Sequence, residues 1–296
     1  MSFSLDIRHH VKLDKIEEIE VLKGLRKPEP VSAQGKLARM KFALRKNFAL
    51  TLLLAGMTQW CAGAAYSFGS DETGNIHEQL TMEALKGTIC DANLKLILKG
   101  VSAADFAGGE GANDPRRHFK TGEITKCIAV VDREKKKVLN FAHTADTDEK
   151  TRARALFIFG QALHTLQDFY SRSNYIELRE HQFKDDLFSM DLADWTDMQR
   201  AESKIGTLLK FEGFDKSTPT SEEGKKSISG TTYYKVAREL ALRETQRQWN
   251  LMETLIRNKT EKRANEVLTA ITSAPCSVKV ANEILNDEKP DLVPDL

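Results

Sequence analysis

The sequence predicts an all-α protein, a single multi-helical domain with long loops. Three observations predict it. Residues 149–172 carry apolar side chains at helical spacing on nearly every face, which marks a central buried helix. Leu80, Ala84, Leu85 and Ile89 repeat at the spacing of one helix face, and a second long run spans 232–257. No internal repeat and no shift of composition divides the chain.

The elements follow in order. Residues 1–39 are charged and offer no apolar core, so they read as a leader, untranslated or disordered, with translation starting at Met40. Residues 40–64 read as a signal peptide: Lys41, Arg45 and Lys46 precede an apolar run from Phe48, and Ala62-Gly63-Ala64 closes it with small residues. The run is short for a membrane span and Gln59 interrupts it. The expected location is therefore secreted or periplasmic after cleavage near Ala64, with an N-terminally anchored form as the alternative. Residues 65–290 form the helical domain.

Within that domain the spacing predicts a helix over about 76–98. Residues 100–127, rich in Gly, Ala and Asp, read as a long ordered loop. Residues 128–148 are ambiguous, a strand-like IAVVD followed by a basic run. A helix over 149–172 follows, then a helical stretch with breaks over 175–210, a polar loop over 213–231, a helix over about 232–257 and a last one over 261–287, broken near Pro275.

A formal net charge of +1 on 296 residues argues against a dedicated nucleic-acid binder. Cys61 falls in the signal. Of Cys90, Cys127 and Cys276, an exporting compartment would bridge one pair, and Cys90–Cys127 is the expected one.

The residues with chemistry are few. His164 and Asp168 are four apart on the buried helix and share one face, where an imidazole nitrogen and a carboxylate oxygen could converge on a cation. A structural His–Asp hydrogen bond is the other reading. Asp114 and His118 lie in NDPRRHFKTGE, as metal ligands on a turn or as a surface charge pair. His77 opens a helix, where a cationic imidazole is disfavoured and a neutral or metal-bound one is not.

Taken together, AYSFG after the signal, IHEQLTMEAL, NDPRRHF and ALFIFGQALHTLQDFYSRSNYIEL resemble the zinc-dependent phospholipase C and single-strand-specific nuclease superfamily, most closely its HET-C-like branch. The resemblance covers roughly residues 64–180. It implies a fold of the zinc-dependent phospholipase C type and metal ligands His77, Asp114, His118, His164 and Asp168. His118, His164 and Asp168 would hold one zinc; His77 and Asp114 would hold a neighbour, with Asp168 bridging.

The chain departs from that pattern at Ser171-Arg172-Ser173-Asn174, where the family supplies a histidine. An arginine has no lone pair to offer a metal. The region of the family's last ligands offers Tyr233 and Tyr234, and no histidine follows His181, itself a conceivable substitute. One or two zinc ions are thus expected rather than three. The implied activity is metal-assisted phosphodiester hydrolysis of a phospholipid headgroup at a membrane surface. Asp114 and Arg172 are the catalytic candidates, Arg172 as a bidentate phosphate partner. A nuclease on the same scaffold is less favoured by the charge, and a non-catalytic lipid- or partner-binding protein is the reading from another class.

Overall fold

In the computed structural model the described residues are 75–106, 114–120 and 122–287. The leader, the signal peptide and Cys61 lie outside them. The described residues belong to one compact unit, 67–296.

The architecture is all-α, with one two-residue hairpin among the described residues. Helix α1 spans Ile76–Leu85, and the Asn75 side chain caps it by accepting from the amides of His77 and Glu78. The expected helix over 76–98 is in fact two. Gly87, at φ +82, turns the chain, and α2 restarts at Asp91 and runs to Phe106. The loop expected from residue 100 therefore begins later, because its Ala and Ser residues are helical. Helix α3 covers Ile124–Ala142 and absorbs the strand-like IAVVD. Its buried Cys127, Val131, Glu134, Val138 and Ala142 recur at three- and four-residue steps, and that period overrides the β-propensity of the Ile-Val run.

Helix α4, Glu149–Arg172, is the central element. Asp148 caps it by accepting from the amides of Lys150 and Thr151. Short helices α5 (Tyr175–Arg179), α6 (Trp195–Met198) and α7 (Lys204–Leu208) follow, then a hairpin of β1 (Ser227–Ile228) and β2 (Thr231–Thr232). The long α8, Tyr233–Thr260, packs on α1, α3 and α4. Helices α9 (Ala264–Ser273) and α10 (Val278–Asp287) flank the break at Pro275.

Helices α2 and α4 cross at Gly100 and Gly160. A Cβ on Gly100 would fall on the Phe157 carbonyl, and one on Gly160 would fall on the Ile97 carbonyl. Only glycine lets these backbones meet. The crossing fixes the height of α4 one turn before His164.

Two apolar clusters lie along α4. One takes Ala153 to Leu163 together with α2, α3, α8 and α9; the other gathers Phe169 and Tyr170 with Phe119, Tyr175 and Phe211. His164 and Asp168 sit between the two, so the polar groups are sealed at both ends by packed side chains.

The expected Cys90–Cys127 bridge is not formed; Cys90, Cys127 and Cys276 are thiols. The Cys90 amide donates to Thr272 O at the end of α9, whereas Cys127 lies on the buried face of α3, in the cluster with Leu80 and Phe119. The two are held by different walls of the fold.

Candidate metal centre

Four elements bring the site together. Helix α1 supplies His77, the segment 114–120 supplies His118, α4 supplies His164 and Asp168, and α8 closes the back.

The segment 114–120 is a turn, closed by the Arg117 amide donating to Asp114 O and the Lys120 amide to Pro115 O, and side chains fix it further. Asp114 Oδ1 accepts from the Arg116 amide at 3.0 Å and from Arg116 Nε at 2.9 Å, which tightens the turn. Arg117 is driven inside and pairs with Glu134 of α3 at 2.5 Å. Burial holds the Glu134 carboxyl above its ordinary range, against the opposing effect of Arg117, Arg133 and Lys137. Phe119, at φ +50 and fully buried, plugs the aromatic cluster against Phe169 and Phe211. An ion pair on one side and a buried ring on the other leave His118 between them, aimed at α4.

Asp168 is the centre, with a side chain fully buried. Its Oδ2 lies 2.9 Å from His118 Nδ1 and 3.3 Å from His164 Nε2. Its Oδ1 lies 3.4 Å from His77 Nε2 and accepts from Arg172 Nε at 2.9 Å. His164 Nε2 and His118 Nδ1 are 3.1 Å apart, and the His77 and His164 rings are 4.3 Å apart between centroids. Burial alone would raise the Asp168 carboxyl. The charges of Arg172 and His164 and the hydrogen bonds from His118 and His164 overcome it and hold the group well below the usual carboxylate range. Asp168 is therefore an anion at any physiological pH.

The donor set can be tested against zinc by its edges. Ligand atoms about 2.0–2.1 Å from a tetrahedral zinc stand about 3.3 Å from one another. The separations among His118 Nδ1, His164 Nε2 and Asp168 Oδ2, 2.9, 3.1 and 3.3 Å, lie close to that edge, and His77 Nε2 stands 3.4 Å from the other carboxylate oxygen. His77, His164 and Asp168 also form a group whose ligand atoms all lie within 4.8 Å of one another. The residues fit a zinc ion.

Of the sequence-predicted residues, His77, His118, His164, Asp168 and Arg172 are brought together. Asp114 is buried nearby in sequence, but its described bonds go to Arg116; its Oδ2 is buried with no hydrogen-bond partner among the described residues. His181 is exposed in the turn that follows α5 and is not part of the group. Tyr233 donates to Glu180 at 2.6 Å, and its hydroxyl is held well above its usual value by burial and that carboxylate.

Arg172 is a quarter exposed and faces outward as well as toward Asp168. It lines a cleft of about 710 Å³ with Lys120, Phe211, Phe214, Glu212 and Glu223. Lys216, next in sequence to Asp215 of the cleft wall, is a fully buried cation. Its amide donates to Ser171 O, and its Nζ reaches Ser173 O at 2.6 Å and Glu177 at 2.9 Å. It satisfies a carbonyl at the end of α4, where a cation is also favoured by the helix dipole.

Three participants were not found from the sequence. Gln167 accepts from or faces His77 Nδ1 at 3.0 Å and reaches Thr81 and Thr245. Its spacing of three from His164 puts it on the same face, which was the available signal. Glu134 sat in a basic run, and Lys216 in a polar loop; neither carried a signal.

A family model described as the VWA7 N-terminal domain matches residues 77–204. The match begins at His77 and contains every residue of the cluster. No curated protein and no solved structure matches the chain significantly.

Proposed function

We propose that the cluster binds zinc and that the chain is an exported, zinc-dependent phosphodiester hydrolase. In this reading it is related to the HET-C-like branch of the phospholipase C and nuclease superfamily and acts on phospholipid headgroups. The observation that carries the reading is the convergence of three imidazoles on one buried, ionised carboxylate at the edge lengths of a tetrahedral site. Holding three imidazoles and a carboxylate this close in a core has a cost that a cation offsets.

His77 Nε2, His118 Nδ1, His164 Nε2 and Asp168 would be the ligands, for one ion or two sharing the carboxylate. Zinc in such a site supplies a Lewis acid and lowers the pKa of bound water. The remaining roles belong to side chains. Arg172, held through Nε by Asp168, also lines the cleft, where it orients a phosphoryl group with Lys120. The expected role of Asp114 as ligand and proton acceptor is not assigned, because its carboxylate is turned to Arg116. Glu212 and Glu223 on the cleft wall disfavour a long polyanion, which ranks a lipid headgroup above a nucleic acid. Among the described residues no helix is long and apolar enough to cross a membrane, so lipid would be met at a surface.

One observation favours a second reading. His164 and Asp168 are fully buried, so the cluster is closed off from solvent on their side. A closed site of this kind suits a structural metal in a non-catalytic lipid- or partner-binding protein. Turnover decides between them: zinc-loaded protein is assayed on phospholipid vesicles and on single-stranded DNA. The hydrolase reading expects headgroup release that is lost in His164→Ala, and a raised KM with a smaller change in kcat in Arg172→Ala. Bound zinc without turnover of either substrate overturns it in favour of the second reading.

A further inference from the structure

The hydrogen bonds around Gln167 can be assigned from one end to the other. Thr245 Oγ1 lies 2.8 Å from Ala241 O, one turn back on α8. A carbonyl can only accept, so the single hydroxyl proton of Thr245 is used there. Toward Gln167, 3.0 Å away, Thr245 presents a lone pair. The group of Gln167 that faces it must be the amide NH2, which also reaches Thr81 Oγ1 at 2.9 Å. The other end of the amide, Oε1, then faces His77 Nδ1 at 3.0 Å. An oxygen there accepts, so Nδ1 carries the proton.

We infer that Gln167 is a positioning residue that holds a proton on His77 Nδ1, so that Nε2 is the ring nitrogen left to a cation beside Asp168. Free histidine prefers the opposite tautomer, with the proton on Nε2. The chain Ala241, Thr245, Gln167, His77 reverses that preference by geometry. Thr81, Gln167 and Thr245 are all essentially buried, so no water substitutes for a misplaced donor. The result is that Nε2, 3.4 Å from Oδ1 of Asp168, is the ring nitrogen turned toward the cluster, where a cation between the two atoms would be held by both. Gln167 thus stands to His77 as the carboxylate or carbonyl behind a metal-bound imidazole stands in other sites, fixing ring and tautomer.

The tautomer part stands without metal; its consequence for zinc rests on the function proposed above. The test uses the full chain, metal-free and labelled with 15N-histidine. Long-range 1H–15N spectra read which ring nitrogen carries the proton. Wild type is expected to show His77 protonated on Nδ1. In Gln167→Leu the proton moves to Nε2, and zinc affinity falls about 10–100-fold, as for loss of other partners behind a ligand. Gln167→Glu keeps the accepting oxygen and restores the Nδ1–H form, which a merely space-filling role for residue 167 would not do. A bare Nδ1 in the wild type overturns the inference, and that measurement needs no variant to fold. Zinc bound equally by wild type and Gln167→Leu also overturns it while leaving the metal site standing. An Nδ1–H wild type that binds no zinc leaves the tautomer inference intact and removes the metal reading instead.

Discussion

Gly160→Ala is the perturbation that best joins the fold to the site. The new Cβ would land on the Ile97 carbonyl, with Val101 N at 2.8 Å and Gly100 Cα at 3.0 Å. All three are backbone atoms inside α2, so no side chain can rotate away. The helices must separate by an ångström or more along their contact. Two effects then compete. Alanine in place of glycine favours a helix by about 0.8–1.0 kcal/mol. Overpacking a dense core costs about 1–3 kcal/mol, and more when backbone has to shift. Contact with three backbone atoms puts this case at the upper end, for a net loss of about 2 kcal/mol. At about 2–4 °C per kcal/mol for a domain of this size, the melting midpoint should fall by about 4–8 °C. Far-UV circular dichroism on heating reads it. Gly100→Ala meets the Phe157 carbonyl at the same crossing and should behave alike, and the double variant should lose less than the sum, because one separation relieves both contacts. Gly160→Ala as stable as wild type, or additive losses in the double variant, would refute the close crossing. Since His164 lies one turn beyond Gly160, zinc affinity should fall in the same variant.

Cys90 is half-buried and Cys127 and Cys276 are buried, so a thiol reagent on native protein should modify Cys90 first, with the other two reacting only on unfolding; mass spectrometry of timed samples reads the order. Burial also pushes the Cys276 thiol up, which slows it further at neutral pH. Glu149 is held below its ordinary value, first by the Ser277 amide and then by the Ser277 side chain. A depressed carboxylate contributes stability above its unfolded value, about 4.3, and loses it as pH falls through the lower folded value. Denaturant midpoints of wild type and Glu149→Gln should therefore differ at pH 7 and converge as the pH falls below that lowered folded value.

The parts of the fold that were legible in the sequence are those with a strong period. Helix α4 announced itself by apolar residues all round, and the break at Pro275 by its ring chemistry. Gly87 was hidden because Leu85 and Ile89 continue the apolar spacing across it. Helix α3 was masked by its Ile-Val run, whose local preference lost to the burial pattern of the whole 19-residue segment. In the site, His164 and Asp168 were legible because four residues on a helix is a contact distance. His77 and His118 could only be joined to them through a resemblance, since 46 residues and more of chain separate each from His164. Gln167, Glu134 and Lys216 act through partners far away in sequence, and nothing local distinguishes such a residue from a solvated one.

The central claim is that His77, His118, His164 and Asp168 hold zinc. Equilibrium dialysis of chelator-stripped protein against zinc, followed by metal analysis, tests it most directly, with His164→Ala and His143→Ala dialysed alongside. His143 is exposed at the end of α3 and serves as the control. The account predicts one or two zinc ions per chain, unchanged in His143→Ala and lost in a folded His164→Ala. No zinc retained by the wild type, or equal zinc in wild type and His164→Ala, would contradict it.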